Sequence, residues 1–231
     1  MKEIERKIPL RAMSIAAAAA AFGVMVADYL LEYMSMPSIP VGSFGILETG
    51  MLGISFVRLS ASVNICGFAI PFYLLGFYAI YRELSLTKPG FAKAYLAMTG
   101  FGIMTASLIH GVIVYIALAY NRLMDAGQSD LAVSVAESLY ASSLPIFWAH
   151  YFLTWIIPQI MLIVLILRKK TVYGRAAALF NPFTFLIIGS AMKLAFPELL
   201  QPLYVGSINR GNVALFLMAA WYARHKETYS Q

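Results

Sequence analysis

AKAYLAMTGFGIMTASLIHGVIVYIALA, residues Ala92–Ala119, is 28 residues long and carries a single charge, Lys93, beside its start. As an α-helix rising 1.5 Å per residue it reaches about 42 Å, more than the ~30 Å hydrocarbon core of a bilayer. Such a run reads as a membrane-spanning helix. The same pattern recurs on both sides of it, at Leu10–Tyr33 and Arg58–Ile80 before, and at Ser142–Leu167, Ala176–Leu194 and Leu203–Ala223 after. The expected fold class is all-α: a polytopic membrane helix bundle of six transmembrane helices, one domain over residues 1–231. The composition agrees, at 61% hydrophobic and 12% charged with a mean hydropathy of +0.75. Soluble domains carry about twice that charge. A disordered chain, a collagen-like fibre, a disulfide scaffold and a nucleic-acid-binding domain are excluded. The single cysteine, Cys66, has no partner for an intrachain disulfide and reads as a small buried hydrophobe.

The first span follows Lys2, Arg6, Lys7 and Arg11, as the core of a signal peptide would. Its apolar run is too long for one, and no small-x-small cleavage site precedes Tyr29 and Tyr33, so it is kept as a span. Orientation follows from the cations. Thirteen of the 17 lysines and arginines fall on one side of the expected bundle, and only Arg58, Arg122, Lys193 and Arg210 on the other. Both termini are therefore expected in the cytoplasm. The inner connections are short and basic. On the outer side, Met34–Val57 is rich in Gly, Pro and Met yet apolar (Phe44-Gly45-Ile46-Leu47, Met51-Leu52-Gly53-Ile54), and is expected on the membrane surface or dipping into the bundle. Ser129–Ala141 has a helical period and reads as a short interfacial helix leading into the fourth span.

Polar groups inside spans carry the information about function. Counted from each span's basic end, Asp28, Asn64, His110, His150, Lys193 and Asn209 lie 15 to 18 residues away, roughly 22–27 Å along a helix. Six spans thus place a polar side chain in one layer of the outer half, and the inner halves carry little comparable. Two readings stand side by side. The layer is interfacial, with Lys193 snorkelling and histidines meeting headgroups, or it lines a cavity. Glu32, four residues after Asp28, shares its face and calls for a cation, for which Arg58 is the expected partner. His110 and His150 suit either inter-helix hydrogen bonds or proton transfer near neutral pH. A metal held by these histidines and a carboxylate lacks any fixed-spacing ligand motif, and no cofactor is expected.

Pro71 and Pro158 sit mid-span and should kink their helices, with Gln159 placed to repair the second break. Gly100, Gly102 and Ala16–Ala21 offer small faces for close helix approach. Ser207-Ile208-Asn209-Arg210-Gly211-Asn212 gathers two amides and a guanidinium that suit an anionic or carbonyl-bearing headgroup. Absent motifs narrow the chemistry: there is no Walker loop or GxGxxG, no GxSxG elbow, no DDxxD, no voltage-sensor arginine repeat and no visible inverted repeat.

Asp28-Tyr29, Phe72-Tyr73-Leu74-Leu75-Gly76, His110, Asn181-Pro182, Pro197 and Asn209 together resemble a class of small six-span bacterial membrane proteins of unknown function. The resemblance covers nearly the whole chain and implies a multi-pass protein of a bacterial inner or plasma membrane, with no activity attached. From the residues themselves the expectation is a polar cavity in the outer-leaflet half that binds a lipid-like or amphiphilic small molecule, with acid/base chemistry of an isomerase or cyclase kind. Asp28, Glu32, His110 and His150 are the candidate proton carriers. Arg58, Asn64, Asn209, Arg210 and Trp148 are the candidate ligand-binding groups. The expected partners are membrane lipids and that small molecule, with no nucleic acid, and a homo-oligomer is left open. The competing expectations are a proton-coupled transporter or channel, which needs a polar path on to the cytoplasmic side, and a scaffold subunit without catalysis.

Overall fold

The computed structural model describes residues 9–44 and 47–229, with side chains to residue 223. Lys2, Arg6 and Lys7, the Gly45-Ile46 step of the outer loop, and the side chains of Arg224 and Lys226 lie outside the described residues. The fold is a bundle of α-helices. Four helical stretches are long and apolar enough to cross a membrane: Leu10–Glu32, Phe56–Ser85, Pro89–Asp125 and Ser129–Leu167.

α1 (Leu10–Glu32) runs through the centre, and its alanines allow that. Ala17 and Ala21 are wholly buried, because a methyl group lets neighbouring backbones approach where a larger side chain would hold them apart. The second stretch is α2 (Phe56–Ala69), a single 3₁₀ turn at Ile70–Phe72, and α3 (Tyr73–Ser85). Ser55 caps α2 by accepting from the Arg58 backbone N–H at 3.3 Å. Pro71 supplies the break, since it has no N–H to continue the α ladder. α4 (Pro89–Asp125) starts on a proline at its first turn, where no N–H is required. It turns at Gly127, whose φ of +73° is one that side-chain-bearing residues avoid. α5 (Ser129–His150) then passes through a π-helical segment, Tyr151–Ile156, into α6 (Ile157–Leu167).

The structure refines three expectations here. Ser129–Ala141 is no separate interfacial helix: it is the first part of a continuous α5, so the fourth stretch is 39 residues long. The outer loop is folded onto the bundle. It forms a two-stranded hairpin, β1 (Pro40–Val41) against β2 (Leu47–Glu48), and a 3₁₀ turn at Thr49–Gly53. These fold onto the far ends of α4 and α5, burying Leu47, Met51 and Ile54 with Val114, Tyr120, Ala132 and Ala136. Asn121 Nδ2 pins the loop by donating to the carbonyls of Met51 (3.0 Å) and Ile54 (3.3 Å). The expected fifth span is a 3₁₀ turn, Arg175–Leu179, followed by α7 (Pro182–Ala195). At 14 residues α7 reaches about 21 Å, short of a bilayer core. α8 (Gln201–Tyr204) and α9 (Ser207–Tyr229) complete the chain, with α9 packed along α1.

Phe77 is the aromatic hub of the main core. Its ring meets Phe216 at 5.1 Å, Tyr95 at 6.1 Å, and Tyr73 and Trp155 at 6.5 Å. Edge-to-face contacts of this kind fix ring positions more sharply than aliphatic packing does, and Tyr73 and Trp155 form the floor of the site above them.

Candidate functional site

A cavity of about 360 Å³ lies above that floor, bounded by α1, the α2–α3 break, α4, the π segment, α7 and the start of α9. Helical spacing explains the α4 wall: Gly102, Ala106, His110 and Ile113 follow at intervals of four, four and three, which is one helix face. On α1 the same rule places Asp28 and Glu32 on the wall, one turn apart. Two of the six residues of the expected polar layer, Asp28 and His110, face each other across this space; His150, Lys193 and Asn209 also line it, and Glu32 joins them.

Asp28 is buried, and its Oδ2 accepts from Asn209 Nδ2 at 2.6 Å. Asn209 Oδ1 in turn accepts from the Tyr73 hydroxyl at 2.6 Å and from Asn212 Nδ2 at 3.1 Å. The approach of α9 to α1 needs Gly206, where φ is +68° and a Cβ would stand 3.1 Å from Met25 Cγ and 3.4 Å from Asp28 Oδ2. The other Asp28 oxygen, Oδ1, lies 4.0 Å from His110 Nδ1, across a gap too wide for a hydrogen bond.

The hydrogen-bond partners define the His110 tautomer. The Ser62 hydroxyl donates its one proton to the Ala27 carbonyl at 2.7 Å. Its oxygen can then only accept from His110 Nε2, which lies 2.8 Å away. Nε2 therefore carries the imidazole proton, and Nδ1 presents a lone pair toward Asp28 and the cavity. His150 has the opposite arrangement. Its Nε2 accepts from Trp155 Nε1–H at 2.9 Å, so its proton sits on Nδ1, 2.9 Å from Thr105 Oγ1. Thr105 passes its own proton back to the Phe101 carbonyl at 3.0 Å. Both nitrogens of His150 are engaged by protein, whereas His110 keeps one free.

His150 owes its position to the π segment that follows it. A π turn widens the helix by one residue and is frequent at functional sites. Thr154, inside that segment, packs directly on Gly102: a Cβ there would lie 2.1 Å from Thr154 Oγ1. Pro158 cannot donate to the Thr154 carbonyl four residues earlier, and Gln159 Nε2 donates to it instead at 3.3 Å, the repair its place in the sequence predicts.

The remaining candidates lie elsewhere. The Arg58 guanidinium makes no ion pair with Asp28 or Glu32. It donates to the carbonyls of Tyr29 (2.8 Å) and Tyr33 at the end of α1, where the last carbonyls of a helix lack partners. Arg210 likewise donates to carbonyls, of Leu203, Pro202 and Val205, and to the Tyr29 hydroxyl, so its charge holds the α8–α9 turn. Asn64 is exposed on the outside of α2 and bonds back to the Ser60 carbonyl at 2.7 Å. Trp148 is 58% exposed, off the cavity wall. Lys193 sits at the mouth with Ser190, and its Nζ reaches Glu48 Oε1 on β2 at 3.4 Å. Among the described residues no three His, Cys, Asp or Glu side chains converge as a metal-binding group.

Ser62, Thr105 and Trp155 escaped sequence reading because serine, threonine and tryptophan are ordinary in spans. Their only signal is pairing with a histidine on another helix or across the π turn, which depends on rotation about helix axes. No curated protein and no solved structure matches the chain. The model of a family of unknown function (DUF6796) does match, over residues 1–226, and the chain belongs to that family.

Proposed function

We propose that the protein is a multi-pass membrane protein with both termini in the cytoplasm, whose outer-half cavity binds a lipid-like or amphiphilic small molecule and exchanges a proton with it. The reading is of six membrane passes, with α7 and its preceding 3₁₀ turn as the fifth and α9 as the sixth. The cation asymmetry supports the orientation.

One observation carries the site assignment: the His110 Nδ1 lone pair and Asp28 Oδ1 face each other at 4.0 Å without bonding, on the wall of a cavity floored by aromatic rings. A hydroxyl or amine of a ligand placed between them donates to Nδ1 as base and meets Asp28 as acceptor or acid, the geometry that general acid–base transfer needs. Asn209 and Tyr73 hold Asp28 in place. His150, with both nitrogens engaged, shapes the wall. The apolar part of the ligand lies along Ile103, Ile109, Ile113 and Leu186.

Native mass spectrometry of the protein released from nanodiscs tests this. A discrete lipid-sized adduct is expected on the unmodified protein and is lost in Asp28→Asn and His110→Ala variants that still fold. A protein without an adduct, or an adduct equally retained by both variants, overturns the assignment.

A further inference from the structure

A second cavity, of about 520 Å³, adjoins the first at its mouth, and Ser190, Lys193 and Tyr204 line both. Together the two linings hold four carboxylates, Asp28, Glu32, Glu48 and Glu198, and one ammonium, Lys193. Lys193 is committed to the mouth: its Nζ lies 3.4 Å from Glu48 Oε1 and 6.0 Å from the centre of the Tyr204 ring. The Arg58 and Arg210 guanidinium groups are turned to backbone carbonyls. Glu32 is exposed on the cavity wall, and among the described residues it makes no hydrogen bond and no ion pair. Asp28 lies one turn before it on the same helix face. Two carboxylates so placed repel each other, and the more so away from water. The inner wall of the cavity lacks a positive charge.

The hydrogen bonds point the same way. Asn209 Nδ2 donates to Asp28, and the Tyr73 hydroxyl donates to Asn209. The His110 Nε2–H is engaged by Ser62, and the Trp155 N–H by His150. What remains free around Asp28 and His110 is a set of acceptors: Asp28 Oδ1, His110 Nδ1 and the Glu32 carboxylate. Asp28 and His110 are each 9% exposed, so two of these acceptors are buried on the wall. A ligand hydroxyl brings one proton to such a place, and an ionised carboxylate none. A protonated amine brings up to three N–H donors, no acceptor, and the missing charge. The rings of Tyr73, Tyr151 and Trp155 border the same space, and a cation over an aromatic ring is attracted to it.

We propose that the ligand is an amphiphilic amine, held as its ammonium between Asp28 Oδ1, His110 Nδ1 and the Glu32 carboxylate. This rests on the reading of the cavity as a ligand site and names the class of ligand. The ammonium supplies the counter-charge that Lys193, Arg58 and Arg210 do not bring to Asp28 and Glu32, and it donates to acceptors that the protein leaves open. Its apolar chain lies against the isoleucines of α4 and Leu186 of α7. The second cavity, with Glu48 and Glu198 on its wall, is the approach, and its charge favours a cation. An anionic headgroup meets the same four carboxylates and is turned away. No covalent bond changes on binding.

The test melts the full-length protein in dodecyl maltoside at neutral pH with octylammonium, octanol or octanoate at one concentration. These probes share a chain and differ in the head, and one that binds the folded state raises the melting temperature. Octylammonium is expected to raise it by several degrees, and octanol and octanoate to change it little. The gain should fall to the octanol level in Glu32→Gln and Asp28→Asn and persist in full in Asn64→Ala, on the outside of α2. Glu32 makes no hydrogen bond, so Glu32→Gln should melt like the unmodified protein when no probe is added. A gain from octanol or octanoate equal to that from octylammonium overturns the amine class and leaves the cavity a ligand site. No gain from any of the three overturns both readings. A gain from octylammonium that survives intact in Glu32→Gln and Asp28→Asn overturns the assignment of the ammonium to these carboxylates.

Discussion

At the scale of single residues, the two histidines differ in what their neighbours leave free. Ser62 fixes the proton of His110 on Nε2, and Ser62→Ala removes the acceptor of that N–H. The stranded donor is expected to cost about 1–3 kcal/mol, read as a lower unfolding temperature, and the freed tautomer is expected to weaken adduct retention. Asp28→Asn separates charge from structure. The oxygen of the substituted amide can still accept from Asn209, so the melting temperature should stay close to that of the unmodified protein while the adduct disappears. A large drop in melting temperature would show instead that Asp28 serves the fold. The sequence revealed the depth of Asp28, His110, His150 and Asn209 because helix rise converts residue number into height. It could not reveal rotation, and so placed Asn64 in the same layer although its side chain points outward. Arg58 and Arg210 misled for another reason: unsatisfied carbonyls at helix ends also attract a guanidinium, and hydropathy does not show where carbonyls are left open.

At the scale of elements, two glycines two residues apart in α4 do different work. Gly102 lets the π segment in, whereas no neighbouring atom lies within 4 Å of a Cβ built on Gly100. Gly102→Ala should push Thr154 away and cost about 1–3 kcal/mol through overpacking, with loss of the His150 geometry. Gly100→Ala should be neutral or stabilise by up to about 1 kcal/mol, as alanine favours a helix interior. Thermal melts of the pair decide it; equal effects would mean that Gly102 is not a packing position. The length and apolarity of α1, of the α2–α3 pair, of α4 and of the second half of the α5–α6 stretch were legible, since a bilayer imposes both on the sequence. The shortness of α7 was not. Hydropathy averages side chains and ignores whether the backbone ladder continues, so Arg175–Leu179 and Pro182–Ala195 merged into one expected span. α7 starts at Asn181-Pro182, at the depth of Gln159 and not at the basic surface.

At the scale of the molecule, the expected orientation makes a direct prediction. In a Cys66→Ser background, a cysteine at Gly127 or Glu48 should react with a membrane-impermeant maleimide from outside the cell, and a cysteine at Lys170 only after permeabilisation. The reverse pattern would invert the topology. The same frame gives the molecule an uneven outline. α4 rises twelve residues past Ile113, the last cavity residue on it, to Asp125, about 18 Å of helix. With α5 and the 3₁₀ turn of the outer loop packed on it, α4 stands as a wall on one side of the cavity, and Glu48 of the loop reaches across to Lys193. On the facing side α7 stops at Ala195, two residues after Lys193. The site therefore has a high bank and a low one. In the proposed orientation a ligand is expected to enter over the α7 bank, past the Lys193–Glu48 contact, so a neighbouring protein seated there would shut the cavity, while one leaning on the α4–α5 bank would leave it open.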